Sequence, residues 1–218
     1  MDSDPIQAAV MNEELRLIPP VVSIPKSTKA TQPLTIRGER YIVPENTFIN
    51  LLSVSSHRDP KYWGADDLDD FRPERWLQST TTDGKEPDGS ASEGEDYGGP
   101  QGHDVSASLL RPKKGSYYPF SEGPRACLGR RFAQVEVLAV LAVIFKDYSV
   151  ELAVDDFASD EEVEKMSMAE RKEVWQKAAD RAKYLLKDGM MTIITIQMRT
   201  GHVPLRFVKK GKERFFLG

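Results

Sequence analysis

A single cysteine, Cys127, stands in 218 residues. That scarcity excludes an internal disulfide framework and points to a reducing compartment. Histidine is almost as rare. His57, His103 and His202 are too widely spaced for a zinc site, and none sits in a recognisable catalytic context. Long apolar runs are missing too. The longest, Phe132 to Phe145, is interrupted by Gln134 and Glu136 and is too short to span a bilayer. Asp2, Asp4 and Pro5 precede any apolar stretch, so the opening residues do not read as a signal peptide. A net charge of −4 excludes a general nucleic-acid binder. Together these absences predict a soluble, cytoplasmic chain with no membrane anchor of its own.

What is present fits one globular domain of ordinary size, with 39% hydrophobic and 29% charged residues. Charge is unevenly spread. Asp83 to Asp104 and Asp155 to Glu164 are acidic, whereas Arg206 to Arg214 is basic. Asp4 and Pro5 predict a helix start, and Pro19-Pro20 its end. Glu13 and Arg16, three apart, share a face of that helix. Val21 to Ile24 reads as extended. Pro33 to Ile36 and Tyr41 to Val43 read as strands joined at Arg37-Gly38, and Phe48 to Val54 as a buried strand. A short helix is expected at Asp66 to Asp70. Residues 78–108 are rich in Gly, Ser, Thr, Asp and Glu and cannot bury enough surface to offset their ordering entropy, which predicts a disordered insertion. A strongly apolar helix is expected from about Arg130 to Phe145, and a strand over Tyr148 to Leu152. Ser167-Met-Ala-Glu170 is a capping-box signature opening a helix that ends near Gly189. Thr192 to Met198 and Val203 to Val208 read as a closing hairpin around Thr200-Gly201.

The cysteine lies in the decapeptide Phe120-Ser-Glu-Gly123-Pro-Arg125-Ala-Cys127-Leu-Gly129. A thiolate that ligates heme iron needs a stabilised negative charge, a close approach of backbone to the macrocycle, and a cation for the propionates. A helix start supplies partial positive charge and free N–H groups at Cys127. Gly123 and Gly129 permit tight turns and close approach. Arg125 supplies a fixed cationic fork, and Phe120 can shield the sulfur. Such a ligand pushes electron density onto iron and favours O–O cleavage. A lone cysteine beside an apolar helix is more often a buried structural residue; the surrounding Phe, Gly, Arg and Gly favour the ligand.

These residues resemble the cytochrome P450 family. FSEGPRACLG matches every fixed position of its heme signature, Phe-x-x-Gly-x-Arg-x-Cys-x-Gly. Glu13 and Arg16, followed by Pro-Pro, are similar to its Glu-x-x-Arg pair, and FRPERW to its Pro-Glu-Arg motif. The acidic insertion and the ending VPLRFVKKG resemble fungal members. The resemblance implies a mainly α fold with small β-sheets (α+β), corresponding to the C-terminal part of a P450-like fold with the N-terminal half absent. Residues 1–218 would form this heme-thiolate region, interrupted by 78–108.

The resemblance further implies heme b (iron protoporphyrin IX) with Cys127 as axial ligand. Arg125, and less directly Lys26, would contact propionates, while Phe120, Gly123 and Gly129 shape the cradle. Glu13, Arg16 and Arg75 would form a structural triad. Val21, Val22, Ser23 and Ile24 would line the substrate pocket, and Met198 to Gly201 its far edge. Lys113, Lys114, Arg130 and Arg131 would offer a basic face to an NADPH-dependent reductase. The implied reaction inserts one oxygen atom from O₂ into a small lipophilic molecule. The parent enzyme would sit on the cytoplasmic face of the endoplasmic reticulum membrane. No Ala/Gly-Gly-x-Asp/Glu-Thr segment of the oxygen-activating helix occurs in the sequence. A non-catalytic heme-binding remnant is therefore the alternative expectation, and a heme-thiolate isomerase or peroxygenase a third.

Overall fold

The computed structural model describes residues 5–77 and 109–215. The predicted insertion at 78–108 and His103 lie outside them. The chain divides into two compact units, Met1–Gln134 and Val135–Gly218. The architecture is α+β, with helices accompanied by four two-stranded antiparallel sheets among the described residues.

The first unit opens with α1, Pro5–Leu17. Proline suits a first helical position because its missing N–H would have no helical partner there. Ala8, Ala9, Met11, Glu13, Leu15 and Arg16 are buried. β1 (Ser23–Ser27) pairs with β4 (Phe48–Leu52), Ser23 facing Leu52. Between them in sequence, β2 (Gln32–Ile36) and β3 (Glu39–Val43) form a hairpin. Arg37 and Gly38 both take positive φ, 52° and 87°, the backbone that matches a tight hairpin to strand twist.

The segment expected to form a buried strand over Phe48 to Val54 differs in two ways. The strand stops at Leu52, and Ser53 opens the short helix α2, Ser53–Ser56. Its apolar side chains are exposed, Phe48 at 67%, because a two-stranded sheet has no second layer to bury them against. The expected helix at Asp66 to Asp70 is a run of turns. The helix forms earlier, as α3 (Pro60–Trp63), where Pro60 starts it and the Asp59 carboxylate accepts the Lys61 N–H at 2.9 Å. A 3₁₀ turn follows at Pro73–Trp76. The Leu110 N–H donates to the Trp76 carbonyl at 2.8 Å, so the two flanks of 78–108 lie side by side.

α4 (Arg130–Asp147) runs across the division between units. In the second unit β5 (Tyr148–Leu152) leads to α5 (Asp160–Lys165) and α6 (Met168–Asp188). Both helices carry complete capping boxes, at Ser159/Glu162 and at Ser167/Glu170. The first uses the same Ser-x-x-Glu spacing, which the acidic run around it conceals. Val154, Ala158, Val163, Val174 and Ala178 form the core, with Leu152, Met166 and Phe215 packed against it.

The expected C-terminal hairpin is not formed. β6 (Met190–Thr192) pairs with β7 (Ile196–Met198), and β8 (Leu205–Lys209) pairs with β5, Leu205 facing Leu152. Gly201, at φ 122°, and Pro204, which has no N–H to give, break the chain between β7 and β8. The Pro204 carbonyl instead accepts the Ala153 N–H at 3.0 Å and extends the β5–β8 ladder.

Candidate functional site

The polar centre of the first unit is the Glu13 carboxylate. α1 places Arg16 one turn on, and its guanidinium donates through Nε to Oε2 and through Nη2 to Oε1, each at 2.9 Å. The 3₁₀ turn brings Arg75, whose Nε donates to Oε1 at 2.9 Å. The Trp76 indole donates to Oε2 at 2.9 Å and the Arg72 N–H to Oε1 at 3.0 Å. Glu13 and Arg16 are wholly buried, and Arg75 is 8% exposed. Burial opposes ionisation of Glu13. The Arg16, Arg72 and Trp76 hydrogen bonds and the Arg16 charge outweigh it, holding the carboxyl below its usual range. The remaining guanidinium donors reach carbonyls. Arg16 Nη1 donates to His57 at 3.1 Å, and Arg75 Nη2 to Asp67 at 3.0 Å.

Aromatic rings wall this cluster. Trp63 and Trp76 centroids lie 5.3 Å apart, Trp76 and Tyr117 4.8 Å, and the Arg16 guanidinium sits 5.3 Å over Trp63. His57, fully buried, accepts the Tyr118 N–H through Nε2 at 2.9 Å. Burial pushes its pKa down to about 4; the Leu15 and Arg16 carbonyls oppose this, and the Arg16 and Arg58 charges add to it.

Tyr117 and Tyr118 lead to the cysteine turn. Ser121, at φ 62°, and Gly123, at φ 75°, reverse the chain. A 3₁₀ turn over Gly123–Arg125 follows. The Cys127 N–H then donates to the Phe120 carbonyl at 2.9 Å, which closes the loop. The Ala133 N–H reaches the Gly129 carbonyl at 2.9 Å, so α4 starts immediately beyond the cysteine. A Cβ added to Gly129 would lie 3.9 Å from the Cys127 sulfur. Cys127 is exposed, as are Arg125 and Leu128. α4 has no buried residue, and Phe132, Val135 and Val143 are 74%, 66% and 65% exposed.

A family model described as Cytochrome P450 matches residues 5–176. The chain belongs to the cytochrome P450 family. It is 32% identical over 151 residues to cytochrome P450 monooxygenase hepC of Aspergillus oryzae, covering 69% of this chain and 24% of that protein. It is 34% identical over 158 residues to cytochrome P450 monooxygenase dpfgJ of Gibberella zeae, covering 72% and 27%. It is 30% identical over 154 residues to echinocystic acid 23-monooxygenase of Saponaria officinalis, covering 68% and 22%. The chain thus spans about a quarter of the length of the curated relatives it matches.

The cofactor of this family is heme. The P450 chain's residues fit that group. An exposed thiol sits at a helix start, with open apolar surface beside it and an exposed guanidinium two residues away. Among the described residues, no group of three or more His, Cys, Asp and Glu could itself hold a metal ion, and no helix is long and apolar enough to cross a membrane.

The structure brings Glu13, Arg16 and Arg75 together, and joins Phe120 to Cys127. Lys26 and Val21 to Ile24 lie in and just before β1. Lys26 is half-buried in β1 opposite Ile49, and the Val21 and Val22 carbonyls accept from Ser53. Sequence reasoning passed over Trp76, His57, Tyr117 and Tyr118. Trp76 directly follows Arg75 in FRPERW, and that adjacency was its only local signal.

Proposed function

We infer that this chain forms the thiolate-bearing wall of a heme monooxygenase, with Cys127 as the residue whose thiolate would hold the heme iron. The observation that carries the reading is the closed Phe120–Cys127 loop, which presents an exposed thiol beside open apolar surface. Bound heme supplies O₂ activation and the transfer of one oxygen atom to carbon. The protein's part is to hold and tune. The Cys127 N–H is fixed on Phe120, so the backbone that carries the sulfur is held in place. With heme bound, the Phe120 ring would shield the sulfur from water. Arg125 would pair with a heme propionate, and Lys26 would be the second cation for that group. The Glu13–Arg16–Arg75 cluster binds α1 to the segment behind the turn and does no chemistry.

A small lipophilic substrate is the class this reading takes, with Val21 to Ile24 at the pocket edge. Electrons would come from an NADPH-dependent reductase that docks on Lys113, Lys114, Arg130 and Arg131. Lys113, Lys114, Arg130 and Arg131 are exposed on the unit that holds the cysteine turn. The parent enzyme would sit on the cytoplasmic face of the endoplasmic reticulum membrane. Turnover of the intact protein with NADPH and a reductase tests the reaction. Turnover supported by peroxide but not by NADPH would contradict it.

A further inference from the structure

We propose that His57 is a positioning residue for Cys127, anchoring the strand that enters the cysteine turn to the Glu13–Arg16–Arg75 cluster. The proposal rests on the reading of Cys127 as the iron ligand.

His57 is held from two sides through two different groups. Its backbone carbonyl accepts from Arg16 Nη1 at 3.1 Å, which ties it to the cluster. Its ring Nε2 accepts the Tyr118 N–H at 2.9 Å, 61 residues away in sequence. An accepting Nε2 carries no proton, so the neutral ring bears its hydrogen on Nδ1, which is buried and makes no hydrogen bond of its own. A second thread runs parallel, with the Ser56 and Tyr118 hydroxyls 2.8 Å apart.

The link then continues to the sulfur in few steps. The Tyr118 carbonyl accepts the Ser121 N–H at 3.0 Å, which sets the corner. The Phe120 carbonyl accepts the Cys127 N–H at 2.9 Å. Tyr118 itself and Pro119 are all that separate the amide held by His57 from Phe120, and the proline ring locks one of the intervening φ angles.

The chemistry explains the residue type. The position needs one acceptor inside a box of rings, with Tyr117 and Tyr118 centroids at 5.1 and 5.3 Å. A carboxylate could accept the same N–H, but so near Arg16 it would compete with Glu13 for the guanidinium. A neutral imidazole accepts on one edge, fills the box, and leaves the cluster intact.

Amide hydrogen exchange of the full chain tests the link, comparing wild type with His57→Phe and His57→Gln. Phenylalanine keeps the ring and loses the acceptor; glutamine restores an acceptor oxygen. The Tyr118 and Cys127 amides should exchange about tenfold faster or more in H57F and return to within about threefold of wild type in H57Q. The Ile18 amide, which donates to Glu14 at the end of α1, should not change. Unchanged protection at Cys127 beside faster exchange at Tyr118 would overturn the proposal. So would equal acceleration at Ile18, which would reduce His57 to a general packing residue. If H57F does not fold, exchange of wild type through a urea series decides. The Tyr118 and Cys127 amides should open as one unit with a common urea dependence, and independent opening of Cys127 would refute the link. The ligand reading is tested separately, by reduced carbon-monoxide spectra of the heme-loaded intact protein and its Cys127→Ser variant. Identical spectra would sink that reading while the exchange data still decide on the anchor.

Discussion

Five N–H groups converge on one buried carboxylate at Glu13, two from Arg16 and one each from Arg72, Arg75 and Trp76. Removing its charge leaves the buried Arg16 guanidinium without its counter-ion and Arg75 with only the Asp67 carboxylate, 3.5 Å away. Glu13→Gln should therefore destabilise the fold by about 3–5 kcal/mol, read from urea denaturation. Acid should act on the same cluster in two stages. The folded His57 pKa, about 4, lies below the ordinary 6.5. Its contribution is complete above 6.5 and is lost as pH falls through 4. Glu13 is also depressed from 4.5, so its contribution is present above that value and disappears at still lower pH. The stability advantage of wild type over H57Q should shrink by roughly 3 kcal/mol between pH 7 and pH 4. A constant difference across that range would show that His57 does not titrate as a buried neutral ring. At this scale the sequence showed the Glu13–Arg16 spacing and the residues around Cys127. It did not show Trp76, His57 or Tyr117, whose meaning lies in contacts across tens of residues that no local pattern encodes.

Elements were legible where they carry their own punctuation. Pro5 starts α1, Arg37-Gly38 makes the β2–β3 hairpin, and Ser167/Glu170 starts α6. Replacing Ser167 by alanine removes a cap and should cost about 0.5–2 kcal/mol in urea denaturation. At the other end of α6, a Cβ on Gly189 would meet the Leu185 carbonyl oxygen at 2.5 Å. Gly189→Ala should thus destabilise the unit more than an exposed glycine change such as Gly211→Ala strains its turn. Equal melting temperatures for the two variants would contradict this. The misread strands share one cause. β8 chooses β5 over its sequence neighbour β7, and β4 lacks a covering layer. Pairing partners and layers are tertiary facts, and alternation along a strand predicts only that one face is apolar.

For the whole molecule, the telling feature is the contrast between buried charge and exposed apolar surface. Charged side chains are buried around Glu13, while α4, the most apolar helix, has no buried residue. Exposed apolar surface of this kind marks a place where something binds. The isolated chain should bind an apolar fluorescent dye at this helix. Val135→Glu with Val143→Glu should reduce that binding while changing urea stability by less than about 1 kcal/mol. The α+β class and the family were both legible from the spacing of three motifs.

We propose Cys127 as the iron ligand. The most direct test is the reduced carbon-monoxide difference spectrum of the heme-loaded intact protein, compared with Cys127→Ser. A thiolate-type Soret band in wild type that vanishes in the variant is the predicted result. A band that survives the loss of this sulfur, or that never forms in the folded, heme-loaded wild type, would contradict it.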